Sequence, residues 1–202
     1  MNNKIIVHDS NDNNNLNNDN VKIDVPLKPK INQIKSQINI QIVKMQNVFS
    51  ELKVQDKEIY QKLFISIKEN NIQYSSLTLS ELTKLRDISK SIWMSKIVLD
   101  VLRSQMNNAT NFKDLIDTII PLLTAVKSIR SLLVPYLKEA DAEYKKIFEL
   151  LSDVLINASQ VGGYMINFKI ANQQITSILN EAYLEAEYKI KNEFEPIPDI
   201  KI

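Results

Sequence analysis

Apolar residues return every three or four positions along most of this chain. Ile31, Ile34, Ile38, Ile42, Met45, Phe49 and Leu52 form one series. Leu82, Leu85, Ile88, Ile92, Leu99, Leu102 and Met106 form a second, and Phe112, Leu115 and Ile119 open a third. That spacing places each series on one face of an α-helix. The first glycine is Gly162, so no glycine interrupts the series before it. Both long series outrun the roughly 8–20 residues of an ordinary globular helix. The pattern predicts an all-α fold built from rods.

The first helix is expected to open near Lys28, with Pro29 tolerated in its first turn, and to run to about Glu69, roughly 60 Å at 1.5 Å per residue. Asn70 and Asn71 are stop residues. Ser75, Ser76 or Ser80 then caps a second helix reaching about Met106, which Asn107, Asn108 and Asn111 break. Two long helices joined by a short polar loop make an antiparallel hairpin. A third helix starts near Phe112, and Pro121 either interrupts it or begins its successor. Pro135, with Glu139, Asp141 and Glu143 behind it, reads as the first turn of a fourth helix carrying Leu137, Tyr144, Ile147, Phe148, Leu151 and Leu155. A fifth runs from about Asn167 to Asn192. Three segments result: an Asn-rich arm at 1–26, expected to be disordered; a helical core at 27–161; and a C-terminal helix with a proline-containing tail at 162–202.

Composition narrows the function. With 202 residues, 44% of them hydrophobic, the chain can bury one core. No stretch reaches the roughly 18 uncharged apolar residues of a membrane span, and the Asn-rich N-terminus lacks the apolar run of a secretory signal. The expected compartment is the cytoplasm. Cysteine is absent, which removes disulfides, thiol catalysis and thiolate metal sites. The one histidine, His8, sits in the arm, so neither a zinc site nor a serine–histidine pair can be assembled on the helices. Gly162-Gly163 does not make a phosphate loop. No enzyme, cofactor or metal is expected.

The net charge of +1 conceals an asymmetry. Residues 28–110 hold thirteen Lys/Arg against seven Asp/Glu, whereas residues 111–202 hold ten against thirteen. A basic front half on an acidic back half can meet an anionic surface, and the two halves can attract each other. Lys28, Lys30, Lys35 and Lys44 all precede the first acid of the helix, Glu51. Each such lysine contributes on the order of 1 kcal/mol near an anionic membrane. These four are the candidate membrane contacts, the alternative being an ordinary solvated face. Nucleic acid is not expected as a partner: no aromatic residues interleave with the lysines, and the pI is about 7.8.

Four segments carry a resemblance. Residues 27–35 (LKPKINQIK), 124–134 (TAVKSIRSLLV), 138–149 (KEADAEYKKIFE) and 150–160 (LLSDVLINASQ), in this order, resemble the archaeal cell-division proteins of the ESCRT-III superfamily, the CdvB group. The likeness covers about residues 25–162. It implies a long α1–α2 hairpin with shorter helices packed along it, switching between a closed soluble form and an open polymerising form. It further implies filaments on the inner face of the cell membrane at the division site, acting in constriction, abscission and vesicle budding. The implied partners are further copies of the chain, ESCRT-III-like paralogs that co-polymerise with it, an anionic membrane surface and an AAA-type ATPase.

No winged-helix domain of that family is expected on this chain, so the resemblance implies a short paralog. Of the family's proline-rich ATPase-binding tail, only Pro196, Ile197 and Pro198 offer a candidate remnant. Gly162 and Gly163 are either a hinge before a regulatory fifth helix or a plain helix C-cap. That helix is expected to turn Glu181, Glu185 and Glu187 toward basic residues of the hairpin. The rival reading from a different class is a soluble coiled-coil adaptor that binds one partner helix without polymerising.

Overall fold

A computed structural model describes residues 27–162 and 168–198. The Asn-rich arm and Gly163 lie outside the described residues. Among the described residues five helices follow one another: α1 (Leu27–Lys68), α2 (Ile72–Asn108), α3 (Phe112–Leu133), α4 (Ala140–Gly162) and α5 (Phe168–Glu193). The fold is all-α, and its frame is the long antiparallel hairpin of α1 and α2.

The hairpin turn is built by two asparagines. Asn70 takes the left-handed conformation, φ 53°, that asparagine adopts more readily than bulkier residues. Its N–H donates to the Ile67 carbonyl at 3.1 Å, and the Asn71 N–H donates to the Ser66 carbonyl at 3.0 Å, which closes α1 in a Schellman motif. Asn71 then starts the next helix, its side-chain carbonyl accepting from the Tyr74 N–H at 3.2 Å. The expected serine caps are therefore not used. Because Asn71 ends one helix and caps the other, Ser75 falls inside α2, buried, with its hydroxyl 2.8 Å from that of Ser66.

The two prolines also differ from expectation. Pro121 neither interrupts α3 nor begins a new helix. It is buried, as are its neighbours Ile120 and Leu122 and, one turn on, Ala125, and that burial offsets the lost hydrogen bond, roughly 3 kcal/mol in an exposed helix. Pro135 lies in a turn between α3 and α4 rather than in a first helical turn. The Tyr136 and Leu137 N–H groups both donate to the Leu133 carbonyl, at 2.9 and 2.8 Å, and α4 begins only at Ala140. Asp141 and Glu143 still occupy its first turn, where the positive end of the helix dipole favours them.

The apolar stripes meet in one core. Ile34, Ile38 and Met45 of α1, Leu82, Ile92, Leu99 and Leu102 of α2, Ile119 and Leu122 of α3, and Ile147 and Leu151 of α4 are fully buried together. α3 packs on α2 and α4, α4 reaches back to α1, and α5 lies against α2 and α3. Toward the turn end the seam between α1 and α2 changes character, and buried Ser66, Ser75 and Thr78 join Ile59 and Leu63.

Candidate functional site

The face that matters is the one α1 presents to the later helices, because ion pairs close it. Lys30 meets Asp153 of α4 at 3.2 Å. Nearer the start of α4, Lys44 meets Glu143 at 2.9 Å and, just before the helix, Glu139 at 3.4 Å. Two of the four candidate membrane lysines are thus occupied by carboxylates of α4 and its lead-in. The other two lie elsewhere: exposed Lys28 and half-buried Lys35 border a cavity of about 160 Å³ that also touches Met106, Thr110 and Leu115. The structure does not gather the four into one patch.

A second closure involves α5 and the residues after it. Lys53 of α1 pairs with Glu193, which Lys189 also meets at 2.6 Å. Phe194 is buried, edge-on to Phe49 with ring centres 5.9 Å apart, and Arg86 lies 5.5 Å from its ring centre. Arg86 holds Asp56 by a two-pronged pair, Nε to Oδ1 at 2.6 Å and Nη2 to Oδ2 at 3.0 Å, while its Nη1 donates to the Glu195 carbonyl at 2.7 Å. Arg86 therefore joins both arms of the hairpin to the tail. Trp93 sits alongside, 4.6 Å from Phe49, with the Lys96 and Lys189 ammonium groups 5.0 and 4.7 Å from its ring. Pro196, Ile197 and Pro198 continue beyond this node without helical structure, Ile197 exposed.

Sequence reasoning expected Glu181, Glu185 and Glu187 to carry the contact of α5. All three are exposed, and Glu181 instead accepts a hydrogen bond from Ser177 one turn earlier, at 3.1 Å. Glu193, Glu139 and the α4 acids carry the pairing. The Asp56–Arg86 pair was not anticipated, although a signal existed: Asp56 falls at core spacing between Phe49, Leu52 and Ile59, where an unpaired carboxylate would be costly. Gly162 is the last residue of α4. Among the described residues no three His, Cys, Asp or Glu side chains converge as a metal site would require, and no helix is long and apolar enough to cross a membrane.

This arrangement of a long basic hairpin closed by shorter acidic helices accompanies a sequence relationship. The chain is 21% identical over 173 residues to Cell division protein B1 of Sulfolobus acidocaldarius, spanning 86% of this chain and 81% of that protein. The chain is a distant homologue of that archaeal protein, which is of the ESCRT-III-like CdvB family. No family model matches it, and no solved structure does.

Two carboxylates in these closures are shifted. Glu139 is held below the ordinary carboxylate range by its own backbone N–H and then by Lys44. Glu193 is held down by hydrogen bonds from Lys189 and then Lys53. Because both are depressed in the folded chain, their stabilisation is complete above the ordinary value of 4.5 and is lost as pH falls below it. Acidification from about pH 5 toward pH 3 is therefore expected to loosen α4 and the tail before the helices melt. Emission from Trp93, the only tryptophan, should move ahead of the far-ultraviolet circular dichroism. Coincident transitions would show that the carboxylate pairs do not hold the closure.

Proposed function

We propose that the protein is a non-enzymatic, membrane-remodelling filament subunit with a role in cell division, working by opening and polymerising its hairpin at the inner face of the membrane. Constriction, abscission and vesicle budding are the processes in which it would act. Its relation to a cell-division protein supports the general role. The observation that carries the mechanism is the pairing of Lys30 and Lys44 with Asp153, Glu139 and Glu143. The Lys30–Asp153 and Lys44–Glu143 pairs are partly exposed and individually worth about 0–1 kcal/mol, so an anionic lipid surface can exchange for the carboxylates at little net cost.

Release of α4 uncovers apolar α1 and α3 surface, which a second copy or a paralog can bury in its place. The two arrangements then differ by only a few kcal/mol. The region around Gly162 and Gly163 supplies the hinge. Pro196, Ile197 and Pro198 supply the contact for an AAA-type ATPase that dismantles the polymer.

The test is co-sedimentation with phosphatidylserine-containing vesicles, combined with negative-stain microscopy across a concentration series. Filaments that grow with concentration, and vesicle binding that weakens with salt, are expected. A particle that stays monomeric with lipid and binds a single partner helix would instead be the adaptor. Charge reversal at Lys28, Lys30, Lys35 and Lys44 is expected to lower vesicle affinity by tenfold or more, at about 1 kcal/mol per lysine, with helicity unchanged. Undiminished binding by the quadruple variant would remove the lysines from the membrane contact.

A further inference from the structure

The turn end of the hairpin carries five large apolar side chains that stay open to solvent among the described residues. Phe64 and Ile65 on α1 and Ile72, Tyr74 and Leu77 on α2 are between 47% and 64% exposed. We propose that this tip is a lipid-contact site, entering the interfacial layer of a bilayer independently of the α1 lysines. The proposal rests on the membrane reading above and assigns it a second, apolar point of contact.

The arrangement of the side chains favours lipid over a protein partner. A partner helix docks on a stripe spaced three or four residues apart, all on one side. Phe64 and Ile65 are consecutive, so they point about 100° apart around α1. Together with Ile72, Tyr74 and Leu77 they form a crown around the hairpin end rather than a stripe along it.

Charge and backbone chemistry agree with this. Residues 59–80 hold two lysines, Lys62 and Lys68, and one acid, Glu69. The Lys68 ammonium lies 4.5 Å from the Phe64 ring centre, a lysine stem folded along an aromatic body as at a membrane surface. A segment entering lipid must also satisfy its own polar backbone. Here the Glu69, Asn70, Asn71 and Ile72 N–H groups all donate to carbonyls of the turn, at 3.0–3.1 Å, and Ser66 and Ser75 bond to each other inside the seam.

The tip is also placed to act apart from the lysines. It lies about 30 Å along α1 from Lys44, at 1.5 Å per residue, so the two contacts reach a flat bilayer together only when the hairpin lies along it.

Because the chain has no cysteine, single-cysteine variants give clean probes. Leu77→Cys, at the tip, and Ser131→Cys, exposed on α3, are each labelled with an environment-sensitive nitrobenzoxadiazole dye. They are mixed with phosphatidylcholine vesicles containing phosphatidylserine. The tip label is expected to shift to the blue and to resist an aqueous quencher, while the α3 label remains in water. The triple variant Phe64→Ser, Ile72→Ser, Leu77→Ser is expected to bind vesicles on the order of tenfold more weakly with helicity unchanged, and its residual binding should be more sensitive to salt. Vesicle binding with both labels in water overturns the tip contact and leaves the membrane reading standing. No vesicle binding by the unaltered chain overturns both. A tip shift that needs no vesicles and rises with protein concentration assigns the crown to a second copy and overturns the proposal.

Discussion

Replacing Arg86 with alanine is expected to destabilise the closed protein by about 3–5 kcal/mol, the cost of leaving one member of a buried ion pair behind. The Asp56 side chain is 4% exposed and that of Arg86 12%, so the stranded carboxylate cannot recover water without a gap opening between α1 and α2. The same substitution removes the donor to the Glu195 carbonyl and the cation beside the Phe194 ring. Urea unfolding should therefore shift to a lower midpoint, and Trp93 emission should change even in the absence of denaturant as the tail leaves Phe49. The double variant Asp56→Ala, Arg86→Ala should recover part of the loss, because no charge is then stranded. A single variant within about 1 kcal/mol of the unaltered chain would mean that water reaches Asp56 and that the node contributes little.

How far the fold was legible follows from these same residues. The period of the apolar series placed both ends of α1 and the C-terminal end of α2 to within two residues, whereas the start of α2, read from serine caps, lies four or more residues earlier than expected. Asn70 and Asn71 announced the turn, since an asparagine pair both accepts left-handed backbone and caps a helix. What failed was the choice among competing local signals. Three serines and one asparagine can each cap a helix, and only the Schellman closure of α1 decides that Asn71 does. Pro121 was ambiguous because its local cost is opposed by its burial, a tertiary term invisible in a window of sequence.

The site was less legible than the fold. The lysines of α1 were identified as a charge feature, but a one-dimensional count cannot say that Lys30 and Lys44 face α4 while Lys28 and Lys35 face the start of α3. The acids of α5 were overvalued for the same reason: Glu181, Glu185 and Glu187 fall on the outer side of a helix whose inner side is Ile175, Ala182 and Ala186.

That contrast supplies the strongest test of the closure. Charge reversal of the acids that hold α4, Glu139→Lys, Glu143→Lys and Asp153→Lys, replaces each attraction to Lys30 and Lys44 with a repulsion. An exposed ion pair stabilises by about 0.2–1 kcal/mol, and a like-charge pair in its place costs a similar amount. Counting only the Glu143 and Asp153 pairs, α4 is expected to lose about 1–4 kcal/mol of its hold on α1. At about 1.4 kcal/mol per factor of ten, the open population rises by roughly fivefold to several hundredfold. Added positive charge would itself draw the chain to anionic vesicles, so the comparison needs a variant of equal net charge. Glu181→Lys, Glu185→Lys, Glu187→Lys provides it, on exposed positions of α5 outside both closures. Both triples should bind vesicles more tightly at low salt. Only the α4 triple should form filaments at a concentration where the unaltered chain stays monomeric, and only it should show faster hydrogen exchange where α1 and α4 meet. If the two triples assemble alike, net charge rather than release of α4 governs assembly, and the ion pairs of Lys30 and Lys44 are not the latch.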